Sequence, residues 1–91
     1  MRIHIGQVVA SDRVVRKLRE KHRGLTLEDV RDAVQWPARP QVAWENHPEH
    51  GRRLVAVGTD HTGRAIICAL TPIPDWDDNA DTWTICTARW L

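Results

Sequence analysis

Two different spacings of hydrophobic and polar positions divide the chain, and the change falls near residue 40. In the segment 13–24, RVVRKLREKHRG, apolar residues recur at helical spacing and share an arc about 100° wide, while basic residues and Glu20 cover the opposite arc. The members of the apolar arc are Val14, Val15, Leu18 and His22. Ser11 or Asp12 suits the N-cap, and Gly24 suits the C-terminal end. The pattern predicts an amphipathic helix.

A second helix is predicted directly after the first. Thr26 and Asp29 have the spacing of a capping box, in which each side chain satisfies a backbone N–H of the other residue. The apolar residues that follow at helical spacing are Leu27, Val30, Ala33 and Val34. Pro37 and Pro40 are expected to end this helix and to turn the chain.

Beyond residue 40 the apolar positions alternate or run together, as they do in strands. Strands are predicted over the ranges 41–46, 52–59, 64–71 and 82–91. The residues DHTG between the second and third ranges indicate a hairpin. An acidic, proline-bearing loop is predicted over 72–81, and the apolar stretch within 2–10 fits either a short strand or an extended lead-in.

Helices followed by a run of strands indicate an α+β fold. We expect the two N-terminal helices to pack on one side of a three- to four-stranded antiparallel sheet. The chain has 91 residues, which suffices for one hydrophobic core and not for two. The sequence therefore predicts a single domain over residues 1–91.

The composition bears on where the protein resides. No apolar run approaches the roughly 20 residues that cross a bilayer, and the first residues, MRIHIGQVVASD, have no secretory pattern. Cys68 and Cys86 lie in apolar, strand-like runs, where buried thiols are commoner than a disulfide. We therefore expect a cytoplasmic protein that makes no contact with a membrane.

Charge is unevenly divided along the chain, although the net charge is only +1. Residues 1–39 carry nine Lys or Arg against five Asp or Glu, whereas residues 40–91 carry four against seven. On the first helix, the candidate RNA- or partner-binding residues are Arg13, Arg16, Lys17, Arg19 and Arg23. This surface suits RNA phosphates or an acidic protein. A solvated helix surface that binds nothing explains the same pattern.

Three histidines, His47, His50 and His61, fall in predicted turns of the sheet, where they can carry protons near neutral pH. The HPEH spacing also suggests a pair of metal ligands, but Pro48 makes this segment a loop, where residues three apart share no helical face. We expect neither a metal nor a cofactor. Surface residues without a function are the alternative for all three histidines.

Arginines stand at the ends of the predicted strands. Arg52 and Arg53 begin one strand, Arg64 begins the next, and Arg89 lies near the end of the last. Strand starts and strand ends meet at common edges of an antiparallel sheet, so these guanidinium groups can approach one another. Such a cluster suits the negative charge of a phosphoryl-transfer transition state. The alternative is that these arginines simply bound apolar strands.

Three stretches of the chain, in order, are KLREKHRGLTLEDVRDAV, GRRLVAVGTDHTGRAIICAL and WTICTARWL. They resemble the helix junction, the arginine-led hairpin and the last strand of BrnT-type toxins, which belong to the RelE-like superfamily. The resemblance covers roughly residues 15–90. The chain departs from the family in an extra residue between His22 and Gly24, in a longer and more acidic loop over 72–81, and in having no acidic tail after Arg89.

The resemblance implies a RelE-like fold and a metal-independent endoribonuclease, the toxin of a type II toxin–antitoxin system that acts on mRNA, free or ribosome-bound. It points to Arg53 (or its neighbour Arg52), Arg64 and Arg89 as the residues that stabilise the transition state. We expect His50 or His61 to carry protons. The implied partners are an antitoxin protein and RNA.

The alternative function is that of a non-catalytic RelE-like module that binds a protein partner. The acidic loop favours it, as do the two tryptophans that we expect to be most exposed, Trp76 and Trp90.

Overall fold

The computed structural model describes residues 3–49, 51–77 and 79–91. In chain order the elements are β1 (Gln7–Val9), α1 (Asp12–Lys21), α2 (Leu27–Val34), β2 (Gln41–His47), β3 (Gly51–Thr59), β4 (Ala65–Ile73) and β5 (Thr82–Trp90). No helix within the described ranges is long and apolar enough to span a membrane.

Both helices begin at caps that the sequence predicted. The Ser11 hydroxyl accepts a hydrogen bond from a backbone N–H in the first turn of α1. At α2, Thr26 and Asp29 exchange the two hydrogen bonds of a capping box, at 3.0 and 3.1 Å. Between the helices, Arg23 and Gly24 have φ values of 56° and 73°, so the chain reverses through a left-handed turn.

The strands form one sheet in the order β1-β5-β4-β3-β2. Neighbours from β2 to β5 pair antiparallel, whereas β1 pairs in parallel with Thr82–Thr84 of β5. The expected three- to four-stranded antiparallel sheet was therefore wrong in strand number and in kind, since the sheet is mixed and has five strands. A strand of three residues is too short to show a period, and its partner lies at the far end of the chain.

The two helices pack on one face of the sheet, as expected. Trp83 is fully buried there, and its indole N–H lies 3.0 and 3.1 Å from the carbonyl oxygens of His4 and Ala80. Gly58 allows α2 to lie directly against β3, because a Cβ at this position would overlap the backbone carbonyl of Ala33. The opposite face carries no helix in the described part of the chain, and we call it the open face.

A bulge interrupts the alternation of β5. Ala69 of β4 pairs with Thr87, but the next residue, Leu70, pairs with Ile85, so Cys86 has no partner on β4. An extra residue of this kind exchanges the faces on which the following side chains lie. The residues of β5 that are buried on the helix side are accordingly Trp83, Ile85 and Ala88.

The outer edge of β1 is closed by side chains of α2 and the residue that follows it. The Val8 N–H donates to Gln35 Oε1 at 2.8 Å, and the Val8 carbonyl accepts from Arg31 Nε at 2.8 Å. Val8 is fully buried, so these bonds satisfy edge groups that water cannot reach.

Candidate functional site

The open face contains a shallow concavity of about 210 Å³ that crosses the sheet from β2 to β5. Apolar side chains of β3 and β4 form its floor, and polar side chains stand at its two ends. Its lining residues include Glu45, Arg53, Val55, Ile67, Thr87 and Arg89. The strand register explains this grouping. Glu45 pairs with Arg53, Ile67 pairs with Arg89, and Val55 and Thr87 both pair with Ala69. Residues paired across neighbouring strands lie on the same face of the sheet.

Arg53 and Glu45 form one end of the concavity. They are directly opposite each other in the β2–β3 ladder. Both Nε and Nη2 of Arg53 lie 2.9 Å from Glu45 Oε1. The Arg53 side chain is only 14% exposed and that of Glu45 is 42% exposed, so the ion pair is partly shielded and holds the guanidinium group in one orientation.

Arg89 forms the other end, and the bulge puts it there. If the same residues of β5 alternated regularly, without a bulge, the parity of Trp83 and Ile85 would carry Arg89 into the core and Trp90 onto the open face. Arg89 is instead exposed and lies opposite Ile67. Its guanidinium group makes no hydrogen bond or ion pair with the residues that the structure describes, so it is available to an anion.

Arg64 lies at the same end of the sheet as Arg89 but on the helix side. Its guanidinium carbon is 3.7 Å from the ring centroid of Trp90, which packs against the core. Adjacent residues of a strand point to opposite faces, so the contact with Trp90 separates Arg64 from the open-face site of Arg89. The strand-end arginines are thus divided between the two faces.

Arg52 takes the same side as Arg64. Its guanidinium carbon lies 3.8 Å from the ring centroid of Trp44, whose own ring lies 6.0 Å from that of Trp83 in the core. Of the two neighbouring arginines that the sequence left open, Arg53 is therefore the one that lines the concavity.

His61 is also on the helix side, at the tip of the β3–β4 hairpin. Its Nδ1 lies 2.7 Å from Asp32 Oδ2 on α2, and its backbone N–H donates to the same oxygen at 2.6 Å. The side-chain hydrogen bond with Asp32 raises the pKa of His61 above its usual 6.5 and lowers that of Asp32 below its usual 3.8. His61 is positioned by a carboxylate but does not reach the concavity.

The remaining histidines of the predicted site contribute less. His47 ends β2, and its Nδ1 accepts a hydrogen bond from the backbone N–H of Glu49 at 3.1 Å. His50, the other histidine expected to carry protons, lies outside the residues that the structure describes.

The basic residues predicted on the first helix are all solvent-exposed. Within the described part of the chain, none of Arg13, Arg16, Lys17, Arg19 or Arg23 forms an ion pair. Their charges are therefore directed to solvent and accessible to a ligand.

The tryptophan exposures differ in part from the expectation. Trp76 is 78% exposed, as the acidic loop suggested, but Trp90 is half-buried beneath Arg64. Trp36, just after α2, is the other exposed tryptophan, at 64%.

Glu45 and Thr87 are members of the concavity that the sequence did not single out. A signal for Glu45 was present, since a tight turn between β2 and β3 would fix the register that puts a carboxylate opposite Arg53. Nothing in the sequence marked Thr87, because its face depends on the bulge.

Within the described residues, no group of three or more His, Cys, Asp or Glu side chains is arranged to hold a metal ion. Comparisons with protein-family models, with curated proteins and with solved structures found no match to this chain.

Proposed function

We propose that this protein is an RNA-cleaving toxin of the RelE-like kind, a metal-independent endoribonuclease that acts on mRNA and is restrained by an antitoxin protein. The observation that carries the proposal is that Arg53 and Arg89 line the same concavity of the open face. Arg53 is held by Glu45, whereas the guanidinium group of Arg89 makes no hydrogen bond or ion pair with the residues that the structure describes. One held and one exposed cation across an apolar floor suit a phosphodiester and its flanking ribose.

The proposed reaction is an in-line attack by a ribose 2′-hydroxyl on its own 3′-phosphate. The hydroxyl proton passes to the Glu45 carboxylate, the O2′–P bond forms and the P–O5′ bond breaks. The departing 5′ oxygen takes a proton from water, and the hydroxide so formed takes the proton back from Glu45. The products are a 2′,3′-cyclic phosphate and a 5′-hydroxyl end. Arg53 and Arg89 offset the charge that grows on the phosphoryl oxygens. Glu45 replaces His61 in the proton-accepting role because His61 lies on the other side of the sheet.

The experiment that tests the proposal measures cleavage of single-stranded RNA by purified Arg53→Ala and Arg89→Ala. Each change should lower the rate by about 10²–10³, the usual effect of removing one group that stabilises a developing oxyanion. Arg39→Ala is the control, since Arg39 is exposed, as Arg89 is, and does not line the concavity. On expression in cells, wild type and Arg39→Ala should arrest growth, and Arg53→Ala and Arg89→Ala should do so much less.

The two variants also differ in an informative way. Arg53→Ala removes both a cation and the side chain that holds Glu45, so it should lower the rate at least as much as Arg89→Ala, which removes a cation alone. If wild-type protein leaves RNA intact, both free and on ribosomes, the proposal is wrong.

A non-catalytic, protein-binding RelE-like module is the second candidate. It is favoured by the exposure of Trp76 within the acidic loop, since a large aromatic side chain in solvent commonly anchors a protein interface. That function predicts normal partner binding by Arg53→Ala and Arg89→Ala and no RNA cleavage by any form of the protein.

A further inference from the structure

A second concavity, of about 330 Å³, lies beside the end of β5, between this strand and the C-terminal end of α1. Its lining residues are Lys21, His22, Arg23, Arg89, Trp90 and Leu91. Three of these side chains are cationic and none is acidic. The site therefore concentrates positive charge at one corner of the molecule.

Local structure fixes this concentration of charge. Lys21 is the last residue of α1, and Arg23 adopts a left-handed conformation with φ of 56° immediately before the chain turns into buried Leu25. Both basic side chains are exposed. Arg64 adds a further cation, since its guanidinium group rests on the Trp90 ring at 3.7 Å.

Arg89 joins this concavity to the one on the open face, because it lines both. A ligand held by Arg53 and Arg89 can therefore continue past the end of β5 to Arg23 and Lys21 without crossing an acidic lining residue other than Glu45. The two concavities form one continuous basic path around the end of the sheet.

We infer that the second concavity, which we call the corner groove and which is lined by Lys21, Arg23 and Arg89 with Arg64 beside it on Trp90, binds the phosphate backbone of single-stranded RNA next to the cleaved bond. The inference rests on the proposed function and adds to it the form of the substrate and its course over the surface.

Size and shape favour a single RNA strand over other polyanions. A volume of about 330 Å³ is that of a small-ligand site and matches a nucleotide unit better than a helix or strand of a protein. The path bends around a sheet end, which a flexible single strand follows readily, whereas nucleic-acid duplexes are stiff over such short lengths. Exposed, unpaired Lys and Arg side chains are the usual contacts to such a backbone.

The test measures binding separately from cleavage. A fluorescent 12-nucleotide RNA with 2′-O-methyl groups lacks the attacking hydroxyl, so its binding can be followed by anisotropy without turnover. Arg23→Glu should weaken binding by about threefold to tenfold. It should also reduce the slope of log affinity against log salt by about 0.7, the value for one phosphate contact on a single strand. Arg39→Glu carries the same charge change at an exposed site outside both concavities and should alter neither quantity.

The length of the RNA and the kind of polyanion provide further tests. A four-nucleotide RNA that fills only the open-face concavity should bind Arg23→Glu and wild type equally. The inference is overturned if Arg23→Glu and Arg39→Glu weaken the 12-nucleotide RNA alike. It is also overturned if a duplex of equal length binds as tightly as the single strand, or if a polyglutamate peptide binds in the same Arg23-dependent way.

Cleavage of unmodified RNA separates the inference from the proposed function. Loss of cleavage in Arg89→Ala, with unchanged RNA affinity in Arg23→Glu, overturns the corner groove and supports the nuclease. Weakened binding in Arg23→Glu, with no cleavage by wild type, supports the groove and overturns the nuclease.

Discussion

The ion pair between His61 and Asp32 connects the β3–β4 hairpin to α2 through exposed side chains. Two hydrogen bonds reach the same Asp32 oxygen, one from the backbone and one from the ring of His61. The hairpin is also ordered by Asp60, whose Oδ1 accepts from the Thr62 hydroxyl and from the backbone N–H groups of Thr62 and Arg64. A short turn is thereby fixed to the helix layer.

This pair predicts a dependence of stability on pH. Because the pKa of His61 is raised, its contribution is complete below 6.5 and is lost as the pH rises through the higher folded-state value. Because the pKa of Asp32 is lowered, its contribution is present above 3.8 and is lost as the pH falls through the lower folded-state value. Asp32→Asn should therefore return the pKa of His61 toward 6.5, measured by NMR titration of the ring. Asp75→Asn is a control that removes an exposed carboxylate away from His61, and a His61 titration unaffected by Asp32→Asn would contradict the geometry.

At the scale of single residues, the sequence indicated which side chains lie at strand ends better than it indicated the face of the sheet on which each one lies. Strand ends drew attention to Arg52, Arg53, Arg64 and Arg89, and of these Arg53 and Arg89 line one concavity. The sequence grouped Arg64 with them, because the alternation that separates Arg64 from Arg89 depends on an interruption inside β5. The contact of His61 with Asp32 joins residues that no local pattern relates.

The start of α2 depends on the capping box of Thr26 and Asp29. Thr26→Ala removes the hydroxyl that accepts from the Asp29 N–H, and should lower the free energy of unfolding by about 1 kcal/mol. Chemical denaturation measures this change. Thr26→Ser keeps an acceptor oxygen and should retain most of the stability, so equal losses in both variants would point to the methyl group instead of the cap.

The closed edge of β1 provides a second prediction for an element. Gln35→Ala leaves the buried Val8 N–H without an acceptor, which should cost about 1–3 kcal/mol in the free energy of unfolding. The Val8 amide should also exchange its hydrogen faster, since β1 loses its outer contact. Gln35→Glu retains an oxygen acceptor and is the matched control. Unchanged exchange at Val8 in Gln35→Ala would show that the bond does not hold the edge.

Elements with a strong local period were predictable, and those fixed by distant contacts were not. Both helices and the four strands from β2 to β5 follow the caps, turns and apolar spacing of the sequence. β1 has only three residues and takes its place from pairing with β5 and from Gln35 and Arg31. A parallel pair between the two ends of the chain leaves no mark in either segment alone.

At the scale of the whole molecule, the proposed function places the antitoxin on the exposed basic face of α1. A partner that covers this face would block RNA phosphates, the simplest way to inhibit an RNA-directed enzyme. Reversing Arg16 and Arg19 to Glu should therefore weaken the complex and make its formation less sensitive to salt, measured by calorimetry with the antitoxin protein. The control is the reversal of Arg39, which lies outside α1. Complex formation that is unaffected by the double reversal would place the interface elsewhere.

The bulge at Cys86 makes the way β5 pairs as important to the site as its residues. The same residues paired without a bulge would present Trp90 where Arg89 now stands, and Arg89 would enter the core. Loss of Cys86 itself would not do this, because Ile85 and Thr87 would then follow each other on β5 as their partners Leu70 and Ala69 do on β4. In an alignment of divergent chains, a single-residue gap at this position would therefore leave the arginine on the same face, whereas an arginine one place earlier or later would lie on the other face.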